Sequence, residues 1–342
     1  MRPQKIVNYT LFIIIPIKKL KNRNISVKHL GLLLFFCIIK RFIGCYSTMQ
    51  TPFKTIGIIG KPSDPGIAET LAGLYDYLIQ NDYTVYVAED SVKFIKNHSV
   101  GSYSIETLGQ HCDLVIAVGG DGTFLAAARA IVKYDIPLIG INLGRLGFLV
   151  DISPNELPTK LHHILQGHFS EEKRYLLRAK IIRDNRVIHE ETAVNEVAIH
   201  RWVTPSMIEI VTKIDNVFLN SQRSDGLIIS TPTGSTAYSL SAGGPILYPS
   251  LNALVLVPLN PHTLSNRPIV IHDSAEIEIS FCQTKQINAL VTCDHIEIPD
   301  VIISDKILIK KDPKPIRILH PEGQDFFQIL RNKLNWSSGY HS

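Results

Sequence analysis

Cysteines are scarce in this chain of 342 residues, and the five present are scattered: Cys37, Cys45, Cys112, Cys282 and Cys293. They form no C-x-x-C pair, and only three of them follow residue 48. This argues against a disulfide framework and against a cysteine zinc site, and it favours a reducing compartment, the cytoplasm. Internal repeats and low-complexity stretches are also missing, which argues against a repeat architecture.

Acidic residues are absent from residues 1–48, which hold nine of the 35 Lys and Arg residues. The rest of the chain therefore has fewer basic residues than its 31 acidic ones, although the formal net charge of the whole chain is +4. Nucleic-acid binding depends on concentrated positive charge. We therefore expect no nucleic-acid partner.

Hydrophobic runs long enough to span a bilayer are missing as well. The apolar run Gly31–Ile39 has nine residues, whereas a spanning helix needs about 20. We interpret residues 1–48 as an extension outside the folded protein, with translation starting at Met49, and expect no membrane partner. The alternative is a targeting peptide or a basic membrane-surface anchor, since the segment lacks acidic residues.

Short apolar runs alternate with helical patterns between residues 49 and 168. The runs that predict strands are Thr55–Gly60, Thr84–Ala88, Leu114–Val118 and Pro137–Ile141. A helix is predicted after the first strand, and another from about Thr123 to Lys133 after the third. This order predicts an α/β domain with a doubly wound parallel sheet, a nucleotide-binding domain over residues 49–168.

From residue 169 onward, the apolar period changes from about 3.6 to 2. The alternating segments are Met207–Val211, Glu276–Phe281, Ile296–Ile298 and Lys306–Lys310. Alternation is typical of antiparallel strands with one buried face, so we expect a mainly β, sandwich-like dinucleotide-binding domain over residues 169–342. A final helix from Asp325 to Trp336 is expected to pack back onto the first domain.

A glycine-rich turn, Gly119-Gly120-Asp121-Gly122-Thr123, lies where the third strand ends and a helix begins. Open α/β sheets bind ligands at this edge, and helix N-termini attract phosphate. No P-loop lysine follows, so a divalent cation is expected to screen a triphosphate. Asp121 could hold that metal, or orient an attacking hydroxyl and accept its proton late. We expect Thr123 to be the N-cap. Taken alone, the turn is equally explained as a tight turn with an Asp cap.

Three more polar segments follow. Asn142 to Leu149 is a second glycine-rich loop at the same sheet edge. Asn195-Glu196 pairs an amide with a carboxylate, which suits two ribose hydroxyls but also suits a capping or hairpin pair. The stretch from Gln222 to Pro245 is rich in hydroxyls and glycines with one aromatic residue, and a long loop of this kind is typical of a functional segment.

These motifs, in this order and over nearly all of residues 54–320, resemble those of the NAD kinases. The resemblance includes Thr231-Pro232-Thr233-Gly234-Ser235-Thr236-Ala237-Tyr238 and Pro261 to Pro268. Diacylglycerol and sphingosine kinases and phosphofructokinases share G-G-D-G alone. The combination of G-G-D-G with the N-E pair and the T-P-T-G-S-T-A-Y motif is much more specific. The pattern departs after Cys293-Asp294, where many members have Gly or Ser and then Gln in place of His295-Ile296.

The resemblance implies an enzyme, a kinase that transfers the terminal phosphoryl group of ATP to the 2′-hydroxyl of the adenosine ribose of NAD, with Mg²⁺ as cofactor. It also implies a homo-oligomer, a dimer or tetramer. Asp121 would activate the hydroxyl with Gly120 and Gly122 beside it, and Asn195 and Glu196 would hold ribose hydroxyls. The residues implied to line the dinucleotide are Arg223, Asp225, Thr236, Ala237, Tyr238, Ser239, Leu240 and Ser241.

Two alternatives stay open. A non-catalytic NAD-binding sensor would need the binding residues but not Asp121. A lipid kinase would share G-G-D-G and suit the basic, apolar start, but it leaves Asn195-Glu196 and the segment from Thr231 to Ser241 unexplained.

Overall fold

The computed structural model describes residues 52–60, 66–95, 100–143, 147–150, 152–202, 206–282 and 289–336. The extension predicted over residues 1–48 lies outside these ranges, as do residues 144–146 of the second glycine-rich loop. Within the ranges, no helix combines the length and the apolar character needed to cross a membrane.

Strands make up most of the regular structure. They are β1 (Thr55–Gly60), β2 (Thr84–Ala88), β3 (Ser102–Tyr103), β4 (Leu114–Val118), β5 (Leu138–Ile141), β6 (Phe169–Arg183), β7 (Arg186–Ala193), β8 (Glu196–Arg201), β9 (Ile208–Ile214), β10 (Val217–Ser224), β11 (Gly226–Ser230), β12 (Ala253–Leu259), β13 (Ile269–His272), β14 (Ile277–Phe281), β15 (Ala289–Cys293), β16 (Ile296–Ile298) and β17 (Lys306–Pro321). The α-helices are α1 (Ile67–Gln80), α2 (Glu89–Val92), α3 (Ile105–His111), α4 (Asp121–Ile131), α5 (Leu157–Leu165), α6 (Tyr238–Ser241) and α7 (Phe326–Leu334).

The first half of the chain forms a parallel sheet in the order β5-β4-β1-β2-β3. Neighbouring residues of β4 face opposite sides: Ile116 packs with α1 and α5, whereas Val115 packs with α3 and α4. Helices therefore cover both faces, and the predicted doubly wound parallel sheet is confirmed. The strands predicted at Thr55–Gly60, Thr84–Ala88 and Leu114–Val118 are confirmed at those bounds.

The second half is antiparallel and two-layered, as predicted. β13-β12-β11-β8-β15-β16 form one sheet, while β10, β9, β14, β17, β6 and β7 extend the parallel sheet of the first half. Residues such as Ile210 of one layer and Ile229 of the other share a buried core. β17 joins the halves, since Ile309 pairs with β14 and Ile318 pairs with β5. Because one sheet crosses the predicted boundary at residue 168, that boundary stays a prediction.

The helix after the glycine turn begins two residues earlier than predicted. Gly120 is the N-cap of α4, and Thr123 lies inside the helix, buried, with its N–H 3.0 Å from the Gly120 carbonyl oxygen. The prediction of Thr123 as N-cap was wrong because Gly119, with φ +152, turns the chain at once after β4. A Cβ on Gly119 would lie 2.5 Å from the Thr123 hydroxyl oxygen, so only glycine permits this turn.

Candidate active site

Asp121 is the first residue of α4, at the carboxyl edge of the parallel sheet. Its carboxylate is half-buried and accepts two backbone hydrogen bonds, from Phe148 N–H at 3.0 Å and from Leu149 N–H at 3.1 Å. Both donors belong to the second glycine-rich loop, so the two loops predicted at this edge meet at Asp121. A carboxylate gripped by two N–H groups has a defined orientation before any ligand arrives.

Gly147 allows this grip. A Cβ built on Gly147 would lie 2.7 Å from the Asp121 carboxyl carbon and closer still to one carboxylate oxygen. Any side chain there would push the carboxylate out of place. The sequence marked the loop as glycine-rich, but it gave no sign that backbone N–H groups 27 and 28 residues further along the chain hold Asp121.

No side chain among the described residues caps the N-terminus of α4, and the N-cap Gly120 is exposed. Gly122, in the first turn, is also exposed. The N–H groups of an uncapped helix N-terminus attract anions. The edge beside Asp121 is thus suited to phosphate oxygens.

Asn195 lies in the short turn between β7 and β8, and Glu196 is the first residue of β8. The Asn195 carbonyl oxygen accepts hydrogen bonds from Thr231 N–H at 2.9 Å and from the Ser230 hydroxyl at 3.3 Å. The structure therefore brings this turn together with the start of the Thr231–Tyr238 motif. The N–H groups of Asn195 and Glu196 both donate to Asp294.

Glu196 is buried, with 6% of its surface exposed, and its Oε2 has no hydrogen-bond partner among the described residues. Burial, and to a smaller extent the nearby Asp294 carboxylate, raise the pKa of this carboxyl to about 8. At neutral pH the group is therefore predominantly protonated, and it can donate one hydrogen bond as well as accept others.

The residues from Thr236 to Ser241 form a compact turn rather than an open loop. Gly234–Thr236 is a 3₁₀ turn, and α6 covers Tyr238–Ser241. Ser239 is fully buried, and its hydroxyl has no partner among the described residues, whereas Tyr238 is 41% exposed. Tyr238 is thus an aromatic ring that this compact turn leaves open to a ligand.

Asp225 and Tyr238 line the same cavity of about 380 Å³. The Asp225 carboxylate is held by Arg201 Nε and Asn260 Nδ2, each at 2.9 Å. Arg223 is exposed and does not line this cavity. The structure thus brings Asp225 and Tyr238 together but does not bring Arg223 to them.

Two functional candidates were missed by the sequence analysis. Asp294 and Arg129 form a buried ion pair at 3.1 Å, with 3% and 10% of their side chains exposed. Arg129 lies on α4, and Asp294 lies in the turn between β15 and β16. A separation of 165 residues leaves no sequence signal for this pair. A two-residue turn between alternating apolar segments could have marked Asp294 as a hairpin residue.

Family models of the ATP-NAD kinase N-terminal domain and of the ATP-NAD kinase C-terminal domain match residues 56–169 and 194–320. The NAD kinase of Methylococcus capsulatus is 54% identical over 290 residues, which are 85% of this chain and 100% of that protein. The NAD kinase of a Marinomonas species is 46% identical over 288 residues, which are 84% of this chain and 98% of the relative.

Solved structures agree with these relatives. The crystal structure of yeast NADH kinase complexed with NADH matches with a TM-score of 0.76 and 25% identity, over 86% of this chain and 89% of the yeast chain. An NAD kinase from Archaeoglobus fulgidus in complex with ATP matches with a TM-score of 0.64 and 25% identity, over 82% of this chain and 98% of that one.

Proposed function

This chain belongs to the NAD kinase family, and from that premise we propose that it transfers the terminal phosphoryl group of ATP to the 2′-hydroxyl of the adenosine ribose of NAD, giving NADP. The observation that carries the proposal is the Asp121 carboxylate, held by two N–H groups beside a helix N-terminus that no described side chain caps. That arrangement pairs a fixed proton acceptor with a phosphate-binding edge.

In the proposed reaction, the 2′-oxygen of the ribose forms a bond to the γ-phosphorus while the bond from that phosphorus to the bridging oxygen of ADP breaks. The hydroxyl proton passes to the Asp121 carboxylate and then to solvent. A carboxylate is a weak base toward an alcohol. Asp121 therefore acts mainly by orienting the hydroxyl and takes the proton as the phosphorus bond forms.

The proposal includes Mg²⁺ bound to the triphosphate. Among the described residues no group of three or more His, Cys, Asp or Glu side chains converges, so a cage made of protein ligands alone is not available there. Mg²⁺ is usually held by one or two carboxylates together with substrate phosphates and water, which the donor set here fits. Asp121 is the carboxylate that would hold it. When bound, the ion neutralises charge on the phosphates.

The dinucleotide is proposed to bind across the second half. Asn195 and Glu196 would hold ribose hydroxyls, supported by a carboxyl oxygen of Glu196 that has no hydrogen-bond partner among the described residues. Tyr238 would stack on a base, supported by its 41% exposure at the rim of a cavity of about 380 Å³ that Asp225 also lines. Arg223, which is exposed, would contact the dinucleotide from outside this cavity.

The experiment is to incubate the full chain with NAD, ATP and Mg²⁺ and to measure NADP with a dehydrogenase specific for NADP. We expect NADP to accumulate with ADP in equal amounts. If NAD binds in a calorimetric titration but no NADP forms, the chain is a non-catalytic NAD-binding sensor, and the proposed reaction is wrong.

A homo-oligomer is proposed as the working state. β13 lies at the edge of the six-stranded sheet, and its Ile269 and Val270 are 38% and 47% exposed, with Leu264 nearby in sequence at 91%. An exposed edge strand is a template for pairing with another chain, and exposed apolar patches mark interaction sites. Light scattering should give a mass of two or four chains, and Val270→Lys should lower it. A monomeric mass for the parent chain would contradict this proposal.

The cytoplasm is the proposed location. Cys112 and Cys293 are buried free thiols, and burial raises the pKa of Cys112 to about 12. Buried free thiols suit a reducing compartment. Cell fractionation should recover the protein with cytoplasmic markers, and recovery in the periplasm or the membrane fraction would contradict it.

A further inference from the structure

We propose that Asp294 is a positioning residue for NAD binding. Its carboxylate holds the backbone of the Asn195-Glu196 turn and, through Arg129, ties that turn to the helix that begins at Asp121. The inference rests on the proposed function, since it concerns how the ribose-binding turn is set relative to the reacting carboxylate. The motif pattern that identified the other site residues did not assign Asp294 a role.

Asp294 occupies the hairpin turn between β15 and β16. Cys293 pairs with Ile296 across the turn, and Asp294 has φ +54, a conformation that Asp and Asn tolerate. The same conformation occurs at Asp184 in the hairpin between β6 and β7, where the side chain is exposed. Turn chemistry therefore explains an Asp at this position, but it does not explain a carboxylate that is 3% exposed.

The contacts of Asp294 explain its burial. Oδ1 accepts from Asn195 N–H at 2.8 Å and from Glu196 N–H at 3.3 Å, while Oδ2 accepts from Val194 N–H at 3.0 Å and from Arg129 Nη1 at 3.1 Å. A carboxylate offers about four lone-pair sites. All of them are in use, so Asp294 retains no acceptor for a ligand and acts through the groups that it holds.

Three successive N–H groups converging on one carboxylate fix the backbone of the turn. In addition, Asp294 N–H donates a hydrogen bond to the Glu196 carbonyl oxygen at 2.9 Å. The turn is thereby set before NAD arrives. A preorganised turn does not lose conformational entropy on binding, so the affinity for NAD depends on it.

Arg129 connects the turn to the reacting group. It lies eight residues after Asp121 on α4, which places the two about 12 Å apart along the helix axis. The Arg129–Asp294 pair is buried, so moving the turn relative to α4 would leave a charge without its partner. The ion pair therefore sets the distance between the ribose-binding turn and the proton acceptor.

Asp294→Asn in the full chain tests the proposal. Asn keeps the shape and the left-handed backbone, but its amide group turns one acceptor into a donor facing N–H groups. We expect the Kd and KM for NAD to rise about tenfold, the size of one lost ligand hydrogen bond, while the KM for ATP stays within about twofold. The matched control, Asp184→Asn, makes the same substitution in an exposed turn and should change none of these values.

A double variant keeps the test valid if Asp294→Asn alone fails to fold. Asp294→Asn with Arg129→Gln removes the cation that would otherwise be buried without a partner, and it should show the same rise in the Kd for NAD. Added to Asn195→Ala, Asp294→Asn should raise that Kd by less than about twofold more, because both changes act on the same turn.

An unchanged Kd for NAD in the single or the double variant would overturn the proposal. Equal losses for NAD and ATP that follow a lower folded fraction would also overturn it, because they would show a purely structural role. If the parent chain binds NAD but makes no NADP, the proposed function is wrong, and the ratio of NAD dissociation constants still decides the role of Asp294.

Discussion

Asp121 and Asp294 are both held by backbone N–H groups, and they differ in how many of their acceptor sites stay free. Asp121 is half-buried and accepts two such bonds, so about half of its acceptor sites stay available. Asp294 is 3% exposed, accepts three, and pairs with Arg129 as well. Acceptor capacity and exposure, and not residue type, therefore separate the carboxylate that we propose to react from the one that we propose to organise the backbone.

The largest effect is expected at Asp121, whose carboxylate keeps acceptor sites free for a ligand. Asp121→Asn should lower kcat by at least about 100-fold, the lower end for loss of a positioned proton acceptor. The Kd for NAD should stay within about threefold, because the turn at Asn195 is untouched. Steady-state kinetics and calorimetry on the same preparation measure both quantities. An unchanged kcat would remove Asp121 from the role of proton acceptor.

The hydrogen bonds that hold Asp121 can be disturbed without substituting Asp121 itself. Gly147→Ala places a methyl group against the Asp121 carboxylate, and we expect kcat to fall about 10- to 100-fold, as a displacement of about 1 Å does. Gly73→Ala, on α1 where a Cβ would meet no atom within 4 Å, is the matched control and should leave kcat unchanged. Equal rates in the two variants would show that the grip on Asp121 is not needed for turnover.

A smaller effect is expected beside Asp294, where the carboxyl group of Glu196 makes the stability of the protein depend on pH. The pKa of Glu196 is about 8 in the folded protein, against an ordinary value of 4.5. Between these values the folded state binds a proton that the unfolded state has lost. This contribution to stability is therefore complete below about pH 4.5 and falls by up to about 1.4 kcal/mol per pH unit as pH rises toward 8.

Glu196→Gln replaces this ionisable carboxyl group with an amide, and it should make the free energy of unfolding depend less on pH. Urea unfolding of the parent chain and of Glu196→Gln at several pH values between 5 and 8 measures the difference in free energy of unfolding. We expect this difference to shift steadily in favour of the Gln variant as pH rises. Parallel curves for the two proteins would mean that Glu196 is ionised in the folded state at neutral pH.

The sequence predicted the strands whose own residues form a recognisable apolar or alternating pattern. β1 and β4 are short apolar runs because both faces of a parallel sheet are covered by helices. β6 was not predicted, because its first residues include the charged run Glu171, Glu172, Lys173 and Arg174 instead of a clean apolar alternation. Glu171 pairs with Arg317 of β17, and Arg174 pairs with Glu172 within β6 itself. β17 extends past the predicted Lys310 because the chain continues through Pro313 and Pro315 to pair with β5.

Some residues of the candidate site could likewise be recognised from the sequence, and others could not. The G-G-D-G turn and the Asn195-Glu196 pair are local motifs that could be recognised in the sequence. The groups that hold them are not local. Phe148 and Leu149 act through backbone N–H groups, which any residue but proline has, and Arg129 meets Asp294 across 165 residues of chain. Such contacts are made by tertiary folding and leave no pattern in the sequence.

The most direct test of the central claim is a crystal structure of the full chain with NAD bound. We predict an Asp121 carboxylate oxygen within about 3.2 Å of the 2′-oxygen of the adenosine ribose, with the N–H groups of Phe148 and Leu149 still on that carboxylate. An Asp121 side chain turned into bulk solvent, with the ribose bound elsewhere, would contradict the account.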